Sequence, residues 1–223
     1  MQGMLALITT CKGRLSHLKE SLPFFVKQFP LVVVVDYDCP DGTADWIMAN
    51  EHDTCVAIKI CNQPLFHKTK ALNAGAREAM ALGATRLVFA DADTLVPDTL
   101  ADYLDGRPEY EMVLTEPHHA LIGFLSVSVP RFRLVSGYDE RYIGWGYEDL
   151  DMRLRLYCDA SCGPKFIPES QFRTIRHTSS ERIRFQEGTI QDSSARNRIL
   201  YKTALRARLL HWSQNLRDCL PYQ

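Results

Sequence analysis

The chain is predicted to fold as one α/β domain around a largely parallel sheet flanked by helices. Three features carry this expectation: apolar runs of strand length at Leu5–Thr10, Leu31–Val35 and Arg86–Ala90, helical spacing between them, and the carboxylates Asp36 and Asp91 where two runs end. Strands that alternate with helices need crossover connections, which make the strands parallel and cover both sheet faces. At 223 residues the chain can bury a sizeable core without disulfide staples.

Leu5–Thr10 reads as a buried strand and Lys12-Gly13-Arg14 as a turn. Leu15, Leu18 and Leu22 then repeat at helical spacing up to Pro23, where the helix is expected to stop. Leu31–Val35 is a β-branched second strand, closed by the turn residues Cys39-Pro40-Asp41-Gly42, and Val56–Ile60 reads as a third. Thr69–Leu82 is rich in helix formers and ends at Gly83, as a helix does. Leu121–Val129 is expected to be another strand, and Glu148–Tyr157 a helix burying Leu150, Leu154 and Tyr157. The tail from Ala195 to Leu216 is basic and amphipathic. It is either a terminal helix packed on the domain or one whose outer face meets an anionic membrane.

A formal net charge of −1 excludes an electrostatic footprint for nucleic acid, so any anion site must be local. Seven cysteines without regular spacing suit reduced thiols in a cytoplasm better than a secreted disulfide framework. Cys158 and Cys162 lack the second ligand pair a zinc site would show. The apolar stretch Met4–Ile8 is too short for a secretion signal, and Leu31–Val35 is far too short to span a bilayer. The expected setting is cytoplasmic, with membrane association through the tail as the variant.

Two segments carry chemistry. In Leu87-Val88-Phe89-Ala90-Asp91-Ala92-Asp93, two carboxylates one residue apart stand at the exit of a buried strand. They can offer hard oxygen ligands to a divalent cation that also binds diphosphate, although such pairs arise in surface turns as well. In Gly144-Trp145-Gly146-Tyr147-Glu148-Asp149-Leu150-Asp151, the glycines let the backbone approach a ligand, while the acids open a helix. Simple helix capping is the bland reading; acids beside an aromatic platform also suit a sugar and a positioned base.

In family order, Asp36–Thr43 (DYDCPDGT), Lys68–Gly75 (KTKALNAG), Asp91-Ala92-Asp93, Ser136–Glu140 (SGYDE) and Gly144–Asp151 (GWGYEDLD) resemble family 2 glycosyltransferases. The second half is similar to the carboxyl-terminal region of galactosyltransferases and bacterial capsule chondroitin-type enzymes. The resemblance, which covers roughly residues 4 to 180, implies a GT-A fold with a Rossmann-like sheet, in which 1–95 binds the nucleotide sugar and 96–185 holds the acceptor and catalytic groups; 186–223 is read from its own composition as the basic amphipathic tail helix. It implies a UDP-sugar donor, Mn2+ or Mg2+, and a glycan, lipid-linked or other hydroxyl acceptor, as in polysaccharide assembly. It implies donor contacts by Thr10, Lys12, Arg14, Asp36, Lys68, Asn73 and Asp91, and metal ligation by Asp93, Asp91 and His177. It further implies Asp149 as catalytic base with Glu148 binding the acceptor, alongside Trp145, Gly146 and Tyr147. The segment from Tyr103 to His119 is expected on the acceptor side.

Tyr37, Asp38 and Cys39 depart from the common DDGSxDGT pattern, and Leu150 replaces an acid frequent in galactosyltransferases, which leaves the sugar open. Sugar nucleotidyltransferases also place acids after such strands, but they need a glycine-rich first loop where this chain has only Gly13. A calcium loop from Asp36 fails because the glycine comes one position late and Ile47 stands where a bidentate Glu is required. A degenerate enzyme kept as a binding module is disfavoured by the presence of both Asp93 and Asp149.

Overall fold

A computed structural model describes residues 3–50, 53–116, 121–176, 178, 181, 184–186 and 188–219, the side chains beyond Leu210 excepted. In chain order the first elements are β1 (Leu5–Cys11), α1 (Leu15–Val26), β2 (Leu31–Tyr37), α2 (Thr43–Ala49), β3 (Cys55–Ile60), α3 (Lys68–Ala81) and β4 (Arg86–Phe89). There follow β5 (Thr94–Leu95), α4 (Leu100–Leu104), β6 (Glu111–Thr115), β7 (Leu125–Ser128), α5 (Val129–Leu134), α6 (Glu148–Cys158), β8 (Gly163–Ile167), β9 (Arg173–Thr174) and α7 (Ile190–Cys219).

Among the described residues a seven-stranded sheet runs β3-β2-β1-β4-β7-β6-β8, and β7 alone opposes its neighbours. β1 and β2 are buried throughout because alternate side chains feed two cores. Leu5, Leu7, Val32 and Val34 pack with Leu18 and Leu22 of α1. Ala6, Ile8 and Val33 pack with Leu72 and Ala76 of α3 on the opposite face. The Leu15, Leu18, Leu22 spacing therefore points inward, as do Ala71, Leu72 and Ala79 of α3, while Leu82 just past its end is exposed.

The approach of α3 is close. A Cβ added at Gly75 would lie 2.5 Å from Ile8 Cγ2 and 2.9 Å from Val35 Cγ2. Ala favours a helix over Gly by about 1 kcal/mol, but overpacking costs about 1–3 kcal/mol. Gly75→Ala is therefore expected to lower the urea midpoint; an unchanged or raised midpoint would mean that α3 can lift off the sheet freely.

Three expectations need correcting. Helix α1 continues through Pro23 to Val26, because the apolar stripe Leu18, Leu22, Phe25 carries on to the buried Phe29. A proline inside a helix costs about 3 kcal/mol. Burying each Phe contributes about 1.5–3 kcal/mol, so the stripe wins. The segment Leu121–Val129 is a strand only over Leu125–Ser128: Phe124 N–H closes a turn on Leu121 O at 3.0 Å, and Pro130 belongs to the first turn of α5. Helix α6 is where it was expected, but its buried side chains are Glu148, Asp149, Asp151, Met152, Arg155 and Leu156, while Tyr157 is exposed.

Candidate active site

The carboxyl ends of β1 and β4, the start of α3 and the start of α6 surround a cleft of about 720 Å³. Ligands of open α/β sheets bind at this edge. Thr10 lines it from the end of β1, Lys12 and Arg14 from the β1–α1 loop, Asp91 and Asp93 from the exit of β4, and Lys68 from the first residue of α3. Trp145, Gly146, Tyr147, Glu148 and Asp149 close the far wall. Residues scattered over 140 positions are thus gathered in one cavity. Phe66, Arg176 and Phe185 also line it and were not foreseen.

At the centre, the Lys68 ammonium lies 3.0 Å from Asp149 Oδ2, 3.2 Å from Asp91 Oδ1 and 3.3 Å from Glu148 Oε1. One cation facing three carboxylates leaves an excess of negative charge. Burial alone would push the Lys68 pKa down; the charges of Asp149, Asp91 and Glu148 override it and hold the ammonium well above its ordinary value. For Asp149, burial first and then the charges of Glu148 and Asp91 outweigh Lys68, pushing the carboxyl up to about 8. Asp149 Oδ1 and Glu148 Oε2 are buried and have no hydrogen-bond partner among the described residues. Such atoms are rare in folded proteins because each costs about 1–3 kcal/mol. In a cleft, they mark where a ligand's hydroxyls can donate.

Local geometry aims these acids inward. Gly144, Gly146 and Tyr147 have φ of 79°, 93° and 71°, so the loop turns sharply before α6 begins. The helix N-terminus then favours the carboxylates of Glu148, Asp149 and Asp151 electrostatically. The loop is tied from behind by α7. Trp145 N–H donates to Ser193 Oγ at 3.2 Å, and Asn197 Nδ2 donates to the carbonyls of Gly146 at 2.9 Å, Ile143 at 3.2 Å and Trp145 at 3.3 Å. A Cβ at Gly144 would lie 2.6 Å from Ser193 Cβ, which fixes glycine there. Behind the acids, Arg155 pairs with Asp151 at 2.7 Å and donates to the carbonyls of Val135 and Gly137.

Three residues expected to touch the donor have their polar atoms engaged elsewhere. Asp36 is fully buried, and its two oxygens accept the N–H groups of Cys39 and Ala44, each at 2.7 Å. Asn73 accepts Tyr138 N–H and donates to Tyr138 O and Glu140 Oε1, fastening the Ser136–Glu140 turn to α3. Lys12 reaches the cleft, but its ammonium donates to the carbonyls of Tyr37, Asp38 and Gln63 at 3.1, 2.8 and 2.6 Å. Arg14 is differently placed, 3.7 Å from Asp93 Oδ2. Asp36→Ala would leave two buried amides without acceptors and is expected to cost at least about 2 kcal/mol in urea unfolding. Wild-type stability in that variant would contradict this placement. Tyr103 lines a separate cavity of about 100 Å³ beside Phe166, and His118 and His119 lie outside the described residues.

Asp91 and Asp93 fit a divalent cation of the kind that arrives with a diphosphate. Both line the cleft, their side chains are 36% and 16% exposed, and both are hard oxygen donors. Among the described residues no cluster of three metal-ligating side chains occurs. Mg2+ sites completed by substrate phosphates use only one or two carboxylates, so the pair suffices. His177, the third expected ligand, lies outside the described residues; its neighbour Arg176 lines the cleft.

A family model described as the N-terminal domain of galactosyltransferase matches residues 116–178, the stretch that contains the 144–149 loop. Among curated proteins none matches the chain. The fold is the GT-A glycosyltransferase fold. Mannosyltransferase PcManGT from Pyrobaculum calidifontis, solved with GDP-Man and Mn2+, aligns with a TM-score of 0.64 at 16% identity over 99% of this chain and 77% of its own. S. aureus TarS 1–349 in complex with UDP-GlcNAc aligns with a TM-score of 0.65 at 14% identity over 93% of this chain and 66% of its own. A weaker likeness, TM-score 0.52 at 14% identity over 79% of this chain and 94% of the other, links it to 4-diphosphocytidyl-2C-methyl-D-erythritol synthase. The fold alone therefore does not choose between sugar and nucleotidyl transfer.

Proposed function

We propose that the chain is a metal-dependent glycosyltransferase, moving a hexosyl or N-acetylhexosaminyl group from a nucleoside diphosphate, with UDP favoured, to an acceptor hydroxyl. The observation that carries this reading is a cleft in which two buried carboxylate oxygens, Asp149 Oδ1 and Glu148 Oε2, have no hydrogen-bond partner among the described residues and stand across Lys68 from Asp91, with Asp93 lining the same cleft. A divalent cation, Mn2+ or Mg2+, held by Asp91 and Asp93 would neutralise charge on the leaving diphosphate.

Asp149 takes the acceptor hydroxyl's proton, and its raised pKa suits a base working near neutrality. Glu148 orients the acceptor through its second oxygen, and Trp145, 42% exposed on the cleft wall, offers a face for a sugar ring. Lys68 joins the two halves, and Arg14, whose neighbour Lys12 is spent on carbonyls, assists the departing phosphates. A base opposite the leaving group gives inversion at the anomeric carbon. Holding the hydroxyl at attack distance supplies much of the rate.

The test is incubation with UDP- and GDP-sugars in the presence and absence of Mn2+, with released nucleoside diphosphate measured. Metal-dependent release of UDP or GDP supports the reading. Formation of pyrophosphate from a nucleoside triphosphate and a sugar phosphate would instead make the chain a nucleotidyltransferase.

The outer face of α7 extends the proposal to a membrane surface. The helix carries six basic and two acidic residues in a chain of net −1, and Ile199, Leu209 and Leu210 are exposed beside Lys202 and Arg206. Apolar and cationic side chains on one face complement anionic lipid. The same helix holds the Trp145 loop, so docking would set the cleft at a fixed height for a lipid-linked acceptor. Among the described residues no helix is long and apolar enough to cross a membrane. Co-sedimentation with phosphatidylglycerol vesicles that weakens with salt and with Leu209→Ser/Leu210→Ser is expected; equal partition onto phosphatidylcholine, or none onto either, would remove this contact.

A further inference from the structure

Beneath the cleft, the Cys11 and Cys39 sulfurs lie 3.9 Å apart, with Cys11 at the end of β1 and Cys39 in the turn after β2. Both thiols are free and buried, with Cys39 8% exposed and Cys11 fully enclosed. The surroundings polarise the two oppositely. Cys39 Sγ accepts the Gly13 N–H at 3.1 Å, and Thr43 Oγ1 donates to Cys11 Sγ at 3.2 Å. Donation from the Cys11 thiol, helped by Thr43 and by the Gly13 and Asp41 amides, lowers the Cys39 pKa to about 6 against burial. Cys11 is pushed the other way by its hydrogen bond to Cys39 and by burial. Cys39 is thus the more acidic of the two thiols, and Cys11 lies within reach to resolve an oxidised Cys39.

We propose that Cys11 and Cys39 form a reversible disulfide under peroxide-class oxidants, and that its closure reshapes the Thr10–Arg14 loop at the cleft. The Cys39 thiolate attacks the peroxide O–O bond and becomes a sulfenic acid, releasing the first water once the leaving hydroxide is protonated. Cys11 sulfur then attacks Cys39 sulfur and expels the second water. Two thiols and one peroxide give one disulfide and two waters, and a small thiol or phosphine reverses the step.

Closure must shorten the sulfur separation from 3.9 Å to about 2.05 Å. The strand ends resist, because Cys11 is paired in register with Asp36, and Asp36 Oδ1 also holds the Cys39 N–H at 2.7 Å. Movement therefore falls on the loop, where Gly13 sits at φ 66° and loses its sulfur acceptor. Lys12 is bonded to the carbonyls of Tyr37 and Asp38, immediately before Cys39, and Leu15 N–H reaches Asp41 Oδ2 just after it. Both flanks of the loop are thus bonded to the residues on either side of Cys39, so a change at that sulfur is felt along the whole loop. The loop change stands independently of the cleft's ligand; loss of nucleotide binding rests on the nucleotide-sugar reading.

Protein treated with hydrogen peroxide, alkylated and digested should yield a linked Cys11–Cys39 peptide pair 2 Da lighter than the two thiol peptides together, alongside unrelated oxidation at the exposed Cys61. Amide exchange over residues 12–15 should rise, and UDP affinity in Mn2+ should fall by about tenfold, a usual strength for coupled sites. Dithiothreitol should reverse all three changes. Cys39→Ser should form no link and keep its loop exchange under peroxide. Alkylation of both wild-type thiols after peroxide, or a link that leaves loop exchange unchanged, would overturn the proposal. If link and loop respond but the reduced protein binds neither UDP nor GDP, the switch stands and the nucleotide reading fails.

Discussion

Asp149→Asn is expected to reduce transfer by about 10²–10⁴-fold, the usual contribution of a positioned general base. Mn2+-dependent nucleotide affinity should persist, because Asp91, Asp93 and Lys68 remain and Asn fills the same volume. Stability should move the opposite way. The Asp149 carboxyl is held up to about 8 in the fold against an ordinary 3.8, so folding favours its neutral form. That contribution is complete below about pH 4 and is lost as pH rises through 8. Asn is neutral at every pH, so the variant should resist urea better than wild type at pH 8, with the advantage shrinking toward pH 4. Full activity would remove Asp149 as the base, and lower stability at pH 8 would contradict the charge crowding around Lys68.

Asp93→Asn is expected to remove the stimulation of nucleotide binding by Mn2+ and to slow transfer by on the order of 10²-fold or more. A metal that stabilises a leaving group contributes several kcal/mol, and each 1.36 kcal/mol is a factor of ten. Asp93 lines the cleft from the exit of β4 and lies 3.7 Å from Arg14, whereas Lys68 pairs with Asp149, Asp91 and Glu148, so the base should survive the change. Asp98→Asn, at an exposed pair with Lys27, serves as the control in which neither binding nor rate should move. Metal-stimulated binding that is undiminished in Asp93→Asn would free that residue from the metal.

The sheet was largely legible because β1 and β2 are buried on both faces and read as unbroken apolar runs. Helix α3 was legible from its composition and from Gly83, which takes φ 94° just past its end. Less was visible where the cleft dictates the pattern. In α6 the inward face carries Glu148, Asp149 and Asp151 beside Met152 and Leu156, so a search for an apolar stripe picks the wrong face. Short β6 and β8 have no periodicity of their own and are held by pairing with each other, from Glu111 with Gly163 to Thr115 with Ile167. Ser193 and Asn197 stand four apart on a helix, but the Trp145 amide that Ser193 accepts and the Gly146 carbonyl that Asn197 holds belong to a loop some fifty residues away. The acids at Asp36 and Asp91 look alike in sequence, each ending a strand. Only the folded chain shows one spent on two backbone amides and the other facing Lys68 across the cleft.

The most direct test of the account is electron paramagnetic resonance of Mn2+ titrated into the protein with UDP. The six-line signal of hydrated Mn2+ should diminish with the protein and UDP together, beyond what UDP alone produces, and should recover when Asp91 and Asp93 are both changed to Asn. A signal that wild-type protein leaves undiminished, or one that the double variant quenches equally, would contradict the assignment of these carboxylates to a metal-diphosphate site.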